Sequence, residues 1–349
     1  MKLEPGFNFV DLSSVGQPIG QSAATAINDD GLVVGSYTVG GIFSGFVWDT
    51  KAGGDPIVGI GYNDPAAQKL LSNSAYLGTR LLDVNHERIV GRIDFKGNPM
   101  VSFAFWISVA AAQNGSSGTA DFNVLKPHPA DLPTSLDNFF HAHGVNDKNQ
   151  IVGIYKDMAF LGANGKPPGT VGFVFTPDAN SAEPWGGTFQ AIAPVQGGQF
   201  TQLFGINNQG ELIGDSGVFA NDGSMRTFAY VWPAQNGNAI RAPELLPVVL
   251  AAGGAPFAIG HKISNNHRAV GEANQAVGNA GGPASGWQAS LKPPPQAIVA
   301  GFQAIKDGVA YGSTSALGLN DPGLIVGSAT LNPDPANPGN GSEAFVYVP

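Results

Sequence analysis

The chain has no cysteine, little charge and no long apolar run. Without cysteine there are no disulfides, no thiolate metal ligands and no thiol nucleophile. Charged residues make up 12% of the 349, about half the usual share of roughly 25%. The 17 Lys and Arg are outnumbered by 26 Asp and Glu, for a net charge of −9. They form no basic cluster, which argues against nucleic acid or an anionic membrane surface as a partner. No stretch approaches the length of a membrane span. Met1–Gly6 shows no apolar leader. That leaves two locations open, the cytoplasm, or the periplasm or cell exterior if a signal peptide has been removed.

What is abundant is glycine (49) and proline (26), spread between apolar runs in a chain that is 43% hydrophobic. They punctuate one phrase that recurs six times. It runs Ala26-Ile27-Asn28-Asp29-Asp30-Gly31-Leu32-Val33-Val34-Gly35 in the first copy and returns with closing glycines at Gly91, Gly153, Gly214, Gly271 and Gly327. The Asn of the phrase is Asn28, Asn85, Asn146, Asn207 and Asn320, with Ser264 in the fifth copy. Self-similarity at a period of 56 to 62 residues signals a repeat architecture.

Each copy reads as a hairpin, with a strand ending at the Asn, a tight turn, and a second strand carrying the aliphatic pair. The position four before the closing glycine is Gly31, Glu87, Asn149, Gly210, His267 and Gly323. Gly and Asn suit a turn that needs positive φ, whereas Glu87 and His267 do not. The second copy is also one residue shorter in the turn. A third strand is marked by a small residue before an aromatic, at Gly45-Phe46, Ala104-Phe105, Gly172-Phe173, Ala229-Tyr230, Gly286-Trp287 and Ala344-Phe345. Fourth strands are expected at Ile57–Ile60, Phe122–Leu125, Phe189–Ile192, Phe302–Ile305 and near Ile240–Leu246.

Four antiparallel strands repeated six times predict an all-β protein, a single six-bladed β-propeller over residues 1–349. The last copy ends after its third strand, and Phe7–Leu12 reads as the missing fourth, so the N-terminal strand is expected to complete the last blade and close the ring. An open β-solenoid competes, but 56 to 62 residues is long for one coil.

The Ile-Asn-x-x-Gly-x-Ile-Val-Gly phrase, paired with Ala-Phe-x-Trp, resembles the HAF-type extracellular repeat family over nearly the whole chain. The His that precedes Ala-Phe in that family is replaced here by Ser44, Phe103, Val171, Phe228, Ser285 and Glu343. The resemblance implies a propeller-like, often exported protein and supplies no reaction.

A repeated phrase reports scaffold, so function is sought where the copies disagree. Four residues before the Asn the column is small or apolar (Ala24, Leu81, Ala142, Leu203, Gly260, Ala316) and reads as core. Five before it stand Ala23, Arg80, His141, Gln202, Ile259 and Ser315, and three before it Thr25, Leu82, His143, Phe204, His261 and Leu317. Side chains alternate along a strand, so these two columns share a face, at the expected mouth of a central channel.

Three readings stand. The side chains fill the channel and bond neighbouring blades. Alternatively, His141, His143 and His261 do acid/base chemistry on a small polar or anionic substrate held by Arg80, as in a lyase, isomerase, cyclase or hydrolase free of redox cofactors. Thirdly, His141, His143 and His261, with Gln202, hold a divalent metal.

Phe204, Phe140, Tyr76 and Tyr62 are candidate walls of a ligand site. Asp83 and Lys262 replace the Gly or Ala two before the Asn and are candidates to pair across the channel or to bind ligand. His86 and His267 fall in turns on the opposite face, and His128 in a loop. The repeated Asn residues read as turn formers. Long stretches at 61–78, 127–140, 154–171 and 328–343 favour the mouth. No phosphate loop, dinucleotide fingerprint or nucleophile elbow is present. The other function class is a non-catalytic exported module that binds a glycan or protein, though no repeated aromatic or charged residue marks six equivalent glycan sites. The sequence sets neither cofactor nor oligomeric state.

Overall fold

The computed structural model describes residues 3–62, 75–96, 101–115, 121–125, 139–156, 170–195, 198–219, 225–234, 242–249, 257–274, 284–291, 298–299, 304–306, 309–330 and 341–349. The protein is all-β, built of several sheets, none closed on itself. No helix of the described residues is long and apolar enough to cross a membrane.

The strands fall into four-stranded antiparallel units that follow the sequence repeat. Unit 1 comprises Ser22–Ile27, Leu32–Val39, Ile42–Asp49 and Ile57–Ile60. Unit 2 comprises Ala75–Val84, Arg88–Lys96, Val101–Ser108 and Asn123–Val124. Unit 3 comprises Phe140–Val145, Ile151–Lys156, Thr170–Pro177 and Gly187–Ile192, and unit 4 Phe200–Ile206, Leu212–Phe219, Met225–Trp232 and Glu244–Leu245. Unit 5 shows three such strands, Ala258–Ile263, Arg268–Asn274 and Ala284–Ser290.

Unit 6 pairs Ser313–Leu319, Ile325–Thr330 and Ser342–Val348 with the N-terminal strand Gly6–Phe9, whose Phe7 lies opposite Tyr347. Part of the expected strand at Phe302–Ile305 lies outside the described residues. Its end, Ile305–Lys306, pairs with Val309–Ala310 instead of the third strand of unit 5.

The closing glycines have a steric cause. Each sits opposite the aromatic of the third strand, as in Gly35 with Phe46, Gly91 with Phe105 and Gly271 with Trp287. A Cβ on Gly35 would stand 2.4 Å from the Phe46 ring and 2.2 Å from the Ala23 carbonyl oxygen. The small residue before the aromatic answers the next unit. A Cβ on Gly45 would lie 2.6 Å from Leu81 and one on Gly172 2.8 Å from Leu203. Leu81 and Leu203, in the column four before the Asn, are fully buried.

Five of the six turns hold a left-handed residue at this position, the expected Gly31, Asn149, Gly210 and Gly323 and also His267. His267 takes φ of 56°, against the expectation; histidine, with Asn and Asp, enters this region more often than most non-glycine residues. Glu87, in the shorter turn, is not left-handed.

The first strands contact one another in sequence, unit 1 with 2, 2 with 3, and so on to 5 with 6, and unit 6 returns to unit 1. The repeated Asn makes the matching hydrogen bonds. Asn28 Nδ2 donates to the Asn85 carbonyl oxygen (3.1 Å), Asn85 to that of Asn146 (2.6 Å), Asn146 to that of Asn207 (3.0 Å), and Asn207 to that of Ser264 (3.2 Å). Asn320 donates to the Asn28 carbonyl oxygen at 3.1 Å. Ser264 has no amide to give. The step from unit 5 to unit 6 runs through Asn265, whose N–H and Nδ2 donate to the two Asp321 oxygens at 2.7 and 2.9 Å. Each Asn also caps its own turn through Oδ1, as when Leu32 N donates to Asn28 at 2.9 Å. Turn formation is therefore only half of what these residues do.

Candidate functional site

All six first strands carry a β-bulge at one place. The register slips between Ala24 and Ala26, Leu81 and Asp83, Ala142 and Gly144, Leu203 and Gly205, Gly260 and Lys262, and Ala316 and Gly318. The skipped residue is the one three before the Asn, so Thr25, Leu82, His143, Phe204, His261 and Leu317 are each left out of the ladder. A bulge re-aims side chains, and the column that differs most between copies is built on it.

The site residues form one continuous line across units 2 to 6. Arg80 Nε lies 3.0 Å from Asp94 Oδ2, and Arg92 Nε 3.2 Å from the same oxygen. Ser102 donates to Asp94 Oδ1 at 2.8 Å. The Arg80 guanidinium also lies 3.5 Å from the centre of the Phe43 ring. Arg92 Nη1 is 3.0 Å from His141 Nδ1. The His141 and His143 rings are 5.5 Å apart, His143 meets Phe204 edge-on at 4.9 Å, and Phe204 meets His261 at 5.3 Å. His261 Nε2 stands 3.5 Å from Glu272 Oε1, and Ser315 donates to Glu272 Oε2 at 2.5 Å.

The electrostatics follow from burial. His141 is held well below the ordinary histidine range, first by burial and then by Arg92, His143 and Arg80. His143 is likewise lowered by burial, then by Arg92 and His261. Both are neutral imidazoles at neutral pH. The Arg80 guanidinium is lowered to about 10 by burial and by Arg92, against the pull of Asp94. Burial pushes Glu272 up, but bonding and charge from His261, with the Ser315 hydrogen bond, bring it below its usual value.

Other singled-out residues lie elsewhere. Phe140 is buried in the core of unit 3 against Tyr155, Phe173 and Phe189. Tyr76 packs on Phe95 and shares a 2.9 Å hydrogen bond with Thr79. Burial raises its hydroxyl pKa. Tyr62 packs against Phe122. Gln202 donates to Thr170 at 3.3 Å. Lys262 and Asp83 form an ion pair with each other, linking units 5 and 2, and Asp83 also accepts the Val145 N–H at 2.8 Å. His128 and most of the long stretches around it lie outside the described residues.

Comparing the copies upstream of the Asn misses one column. The residue after each closing glycine is Ser36, Arg92, Ile154, Asp215, Glu272 and Ser328. It lies directly across the ladder from Ala23, Arg80, His141, Gln202, Ile259 and Ser315. The same test for disagreement, applied downstream, finds Arg92, Asp215 and Glu272. Asp94, two residues beyond Arg92, has no such signal.

Among the described residues no group of three or more His, Asp or Glu is placed to hold a metal ion. His143 and His261 both contact the Phe204 ring, and His261 is turned toward Glu272.

A shallow bowl lies at the other, turn end of the first strands, lined by Asn28, Asn85, Asn146, Asn207 and Asn320 with Asp29, Asp147, Asp321, His86 and Lys262. Its polar groups bond one another. The Asp147, Asn208, Asn265 and Asp321 N–H groups donate to Asn208, Asn265, Asp321 and Asp29 respectively, at 2.7 to 2.9 Å. That second circuit breaks at His86, in the short turn, which instead lies 2.6 Å from Asp30 and 3.6 Å from Asp147.

No protein-family model matches the chain, and no curated protein matches it. Among solved structures it is similar to the crystal structure of a protein of unknown function from Dyadobacter fermentans DSM 18053. That likeness has a TM-score of 0.48 at 10% identity, over 100% of this chain and 99% of the other.

Proposed function

We propose that the six units are the blades of a β-propeller whose last blade is completed by the N-terminal strand, and that the polar line along its first strands is an enzyme site for a small anionic organic substrate. The cyclic contacts of the first strands and the Asn hydrogen bonds that follow them support the ring. The chemistry rests on one observation. Two guanidiniums share a single carboxylate, Asp94, immediately beside two buried neutral imidazoles. That leaves a positive surplus at one end to hold a substrate carboxylate. The imidazoles beyond it are in the form that accepts a proton. The buried Nε2 of His143 has no hydrogen-bond partner among the described residues and is the base of choice.

The test is proton exchange. Small carboxylic acids are incubated with the protein in D₂O, and loss of the C–H signal beside the carboxylate is followed by NMR. Arg92→Met should weaken binding at least about tenfold, and His143→Phe should slow exchange by about 100-fold or more. Binding without any exchange would return the protein to the class of non-catalytic binding modules. No binding of any acid would remove the reading altogether.

A further inference from the structure

The second circuit at the turn end is built from the residue that follows each Asn, namely Asp29, His86, Asp147, Asn208, Asn265 and Asp321. Five of the six carry a side-chain oxygen. Those of Asn208, Asn265, Asp321 and Asp29 accept a main-chain N–H from the neighbouring unit. His86 has no oxygen to offer, and its turn is one residue short. Its imidazole is set instead between two carboxylates, one from the unit on each side. Nδ1 lies 2.6 Å from Asp30 Oδ2 of unit 1, and Nε2 lies within ion-pair reach, 3.6 Å, of Asp147 Oδ1 of unit 3. The other Asp147 oxygen is taken by Asn208 Nδ2 at 2.6 Å. A carboxylate only accepts, so both contacts ask for an N–H on the imidazole. The neutral ring has one N–H and one lone pair. It can serve one carboxylate while turning its lone pair on the other. The imidazolium has two N–H groups and serves both. The side chain is 46% exposed, so protons reach it from bulk solvent.

We infer that His86 is a pH-dependent clasp on the turn end of units 1, 2 and 3. As imidazolium it bridges Asp30 and Asp147 and closes the circuit that the short turn leaves open. As neutral imidazole it keeps Asp30 and releases Asp147. The clasp lies at the opposite end of the first strands from the proposed anion site and does not depend on it. The other charged groups of the turns around it are occupied or exposed. Glu87 accepts from Asn149 Nδ2 at 2.8 Å, and the Arg88 guanidinium lies over the Trp106 ring. Lys51 Nζ donates to the Asp29 carbonyl oxygen at 3.3 Å, Lys262 is held by Asp83, and Lys148 is exposed. Asp29 accepts the Asp321 N–H, and both of these acids line the same bowl as His86. The hydrogen bond to Asp30 raises His86 above its ordinary value. Burial opposes the rise, and the charges of Asp147, Asp30 and Asp29 add to it. The folded chain therefore keeps this proton to higher pH than the unfolded chain, which gives it up near about 6.5. The clasp is fully closed below that pH and is lost as pH rises through the folded value.

Two measurements on the full chain test the clasp. In an NMR titration the His86 ring, assigned by its absence from His86→Asn, should titrate above about 6.5. Asp30→Asn and Asp147→Asn should each lower that midpoint. In hydrogen exchange corrected for intrinsic rates, the turns at 28–31, 85–88 and 146–149 should lose protection by about threefold or more between pH 6 and 8. His86→Asn, which puts the residue of units 4 and 5 in this position, should not show that loss. A midpoint at or below about 6.5, or one that Asp147→Asn leaves unmoved, would overturn the inference. Equal loss of protection in the parent and in His86→Asn would overturn it too. Should Asp147→Asn fail to fold, Asp30→Asn and the exchange comparison decide the matter.

Discussion

The first strands carry two polar belts that differ in kind. At the turn end, the Asn belt repeats nearly the same residue in every unit, and its amides and oxygens are paired within and between units. At the other end, the belt of Arg80, Arg92, His141, His143, His261, Asp215 and Glu272 has no common residue and leaves His143 Nε2 and both Asp215 oxygens without a hydrogen-bond partner among the described residues. Repetition with full pairing is how a scaffold is held together. Divergence with unpaired groups is where a bound molecule or an ordered water would supply the missing partners.

The Asp83–Lys262 pair lies between the belts and joins units three apart, where the other copies have Gly or Ala. Those small residues are dictated by crowding: a Cβ on Gly144 would stand 2.9 Å from the Phe204 carbonyl oxygen. Breaking the pair should give the largest loss. Lys262→Met leaves the buried Asp83, already pushed up by desolvation, without its cation, and should destabilise the fold by about 3–5 kcal/mol, read from chemical denaturation. A loss under about 1 kcal/mol would show that the two belts hold the axis without this bolt.

Next comes the scaffold belt. Asn207 caps its turn through the Glu211 N–H at 2.9 Å and donates to Glu211 Oε2 at 2.6 Å and to the Ser264 carbonyl oxygen at 3.2 Å. Asn207→Ala should cost about 2–3 kcal/mol at roughly 1 kcal/mol per bond. Gln202→Ala in the other belt, with its single 3.3 Å bond to Thr170, should cost less than about 1 kcal/mol. Equal losses would erase the distinction between the belts.

The last contrast is one of pH slope rather than of total stability. In the fold, burial holds Asp215 protonated above the usual carboxylate range, while the unfolded chain gives up that proton near the ordinary value of about 3.9. The folded state therefore binds more protons over that window, and stability falls as pH rises through it. Replacing Asp215 by Asn removes the fall, so the variant should gain on the parent by up to about 1.4 kcal/mol per pH unit. His141 and His143 act with the opposite sign. The unfolded chain takes up protons below about 6.5 that the buried, Arg92-flanked imidazoles refuse. Stability is thus lost as pH falls below that value, and His143→Phe should reduce the loss. Denaturation midpoints from pH 4 to 9 for the parent and the two variants check both signs.

By itself the sequence determined the hairpins and third strands of all six units, the grouping in fours in every unit but the fifth, and the pairing of the N-terminal strand with the last one, because each depends on local steric rules repeated along the chain. A glycine under an aromatic ring and a left-handed residue in a turn leave a mark at fixed spacing. It also pointed to His141, His143, His261 and Arg80, since a break in a repeat is visible without coordinates.

Only the tertiary structure decided the rest. It placed Phe140 in a core rather than at a site, since a residue's neighbour on the strand can face the opposite side. It put the variable column on a bulge, which period-two alternation does not reveal. It paired Asp83 with Lys262 across 179 residues and left both oxygens of the buried Asp215 without a hydrogen-bond partner among the described residues. Partners of that kind meet only when separate units pack, so the chemistry between them is a property of the assembled units and not of any one stretch of chain.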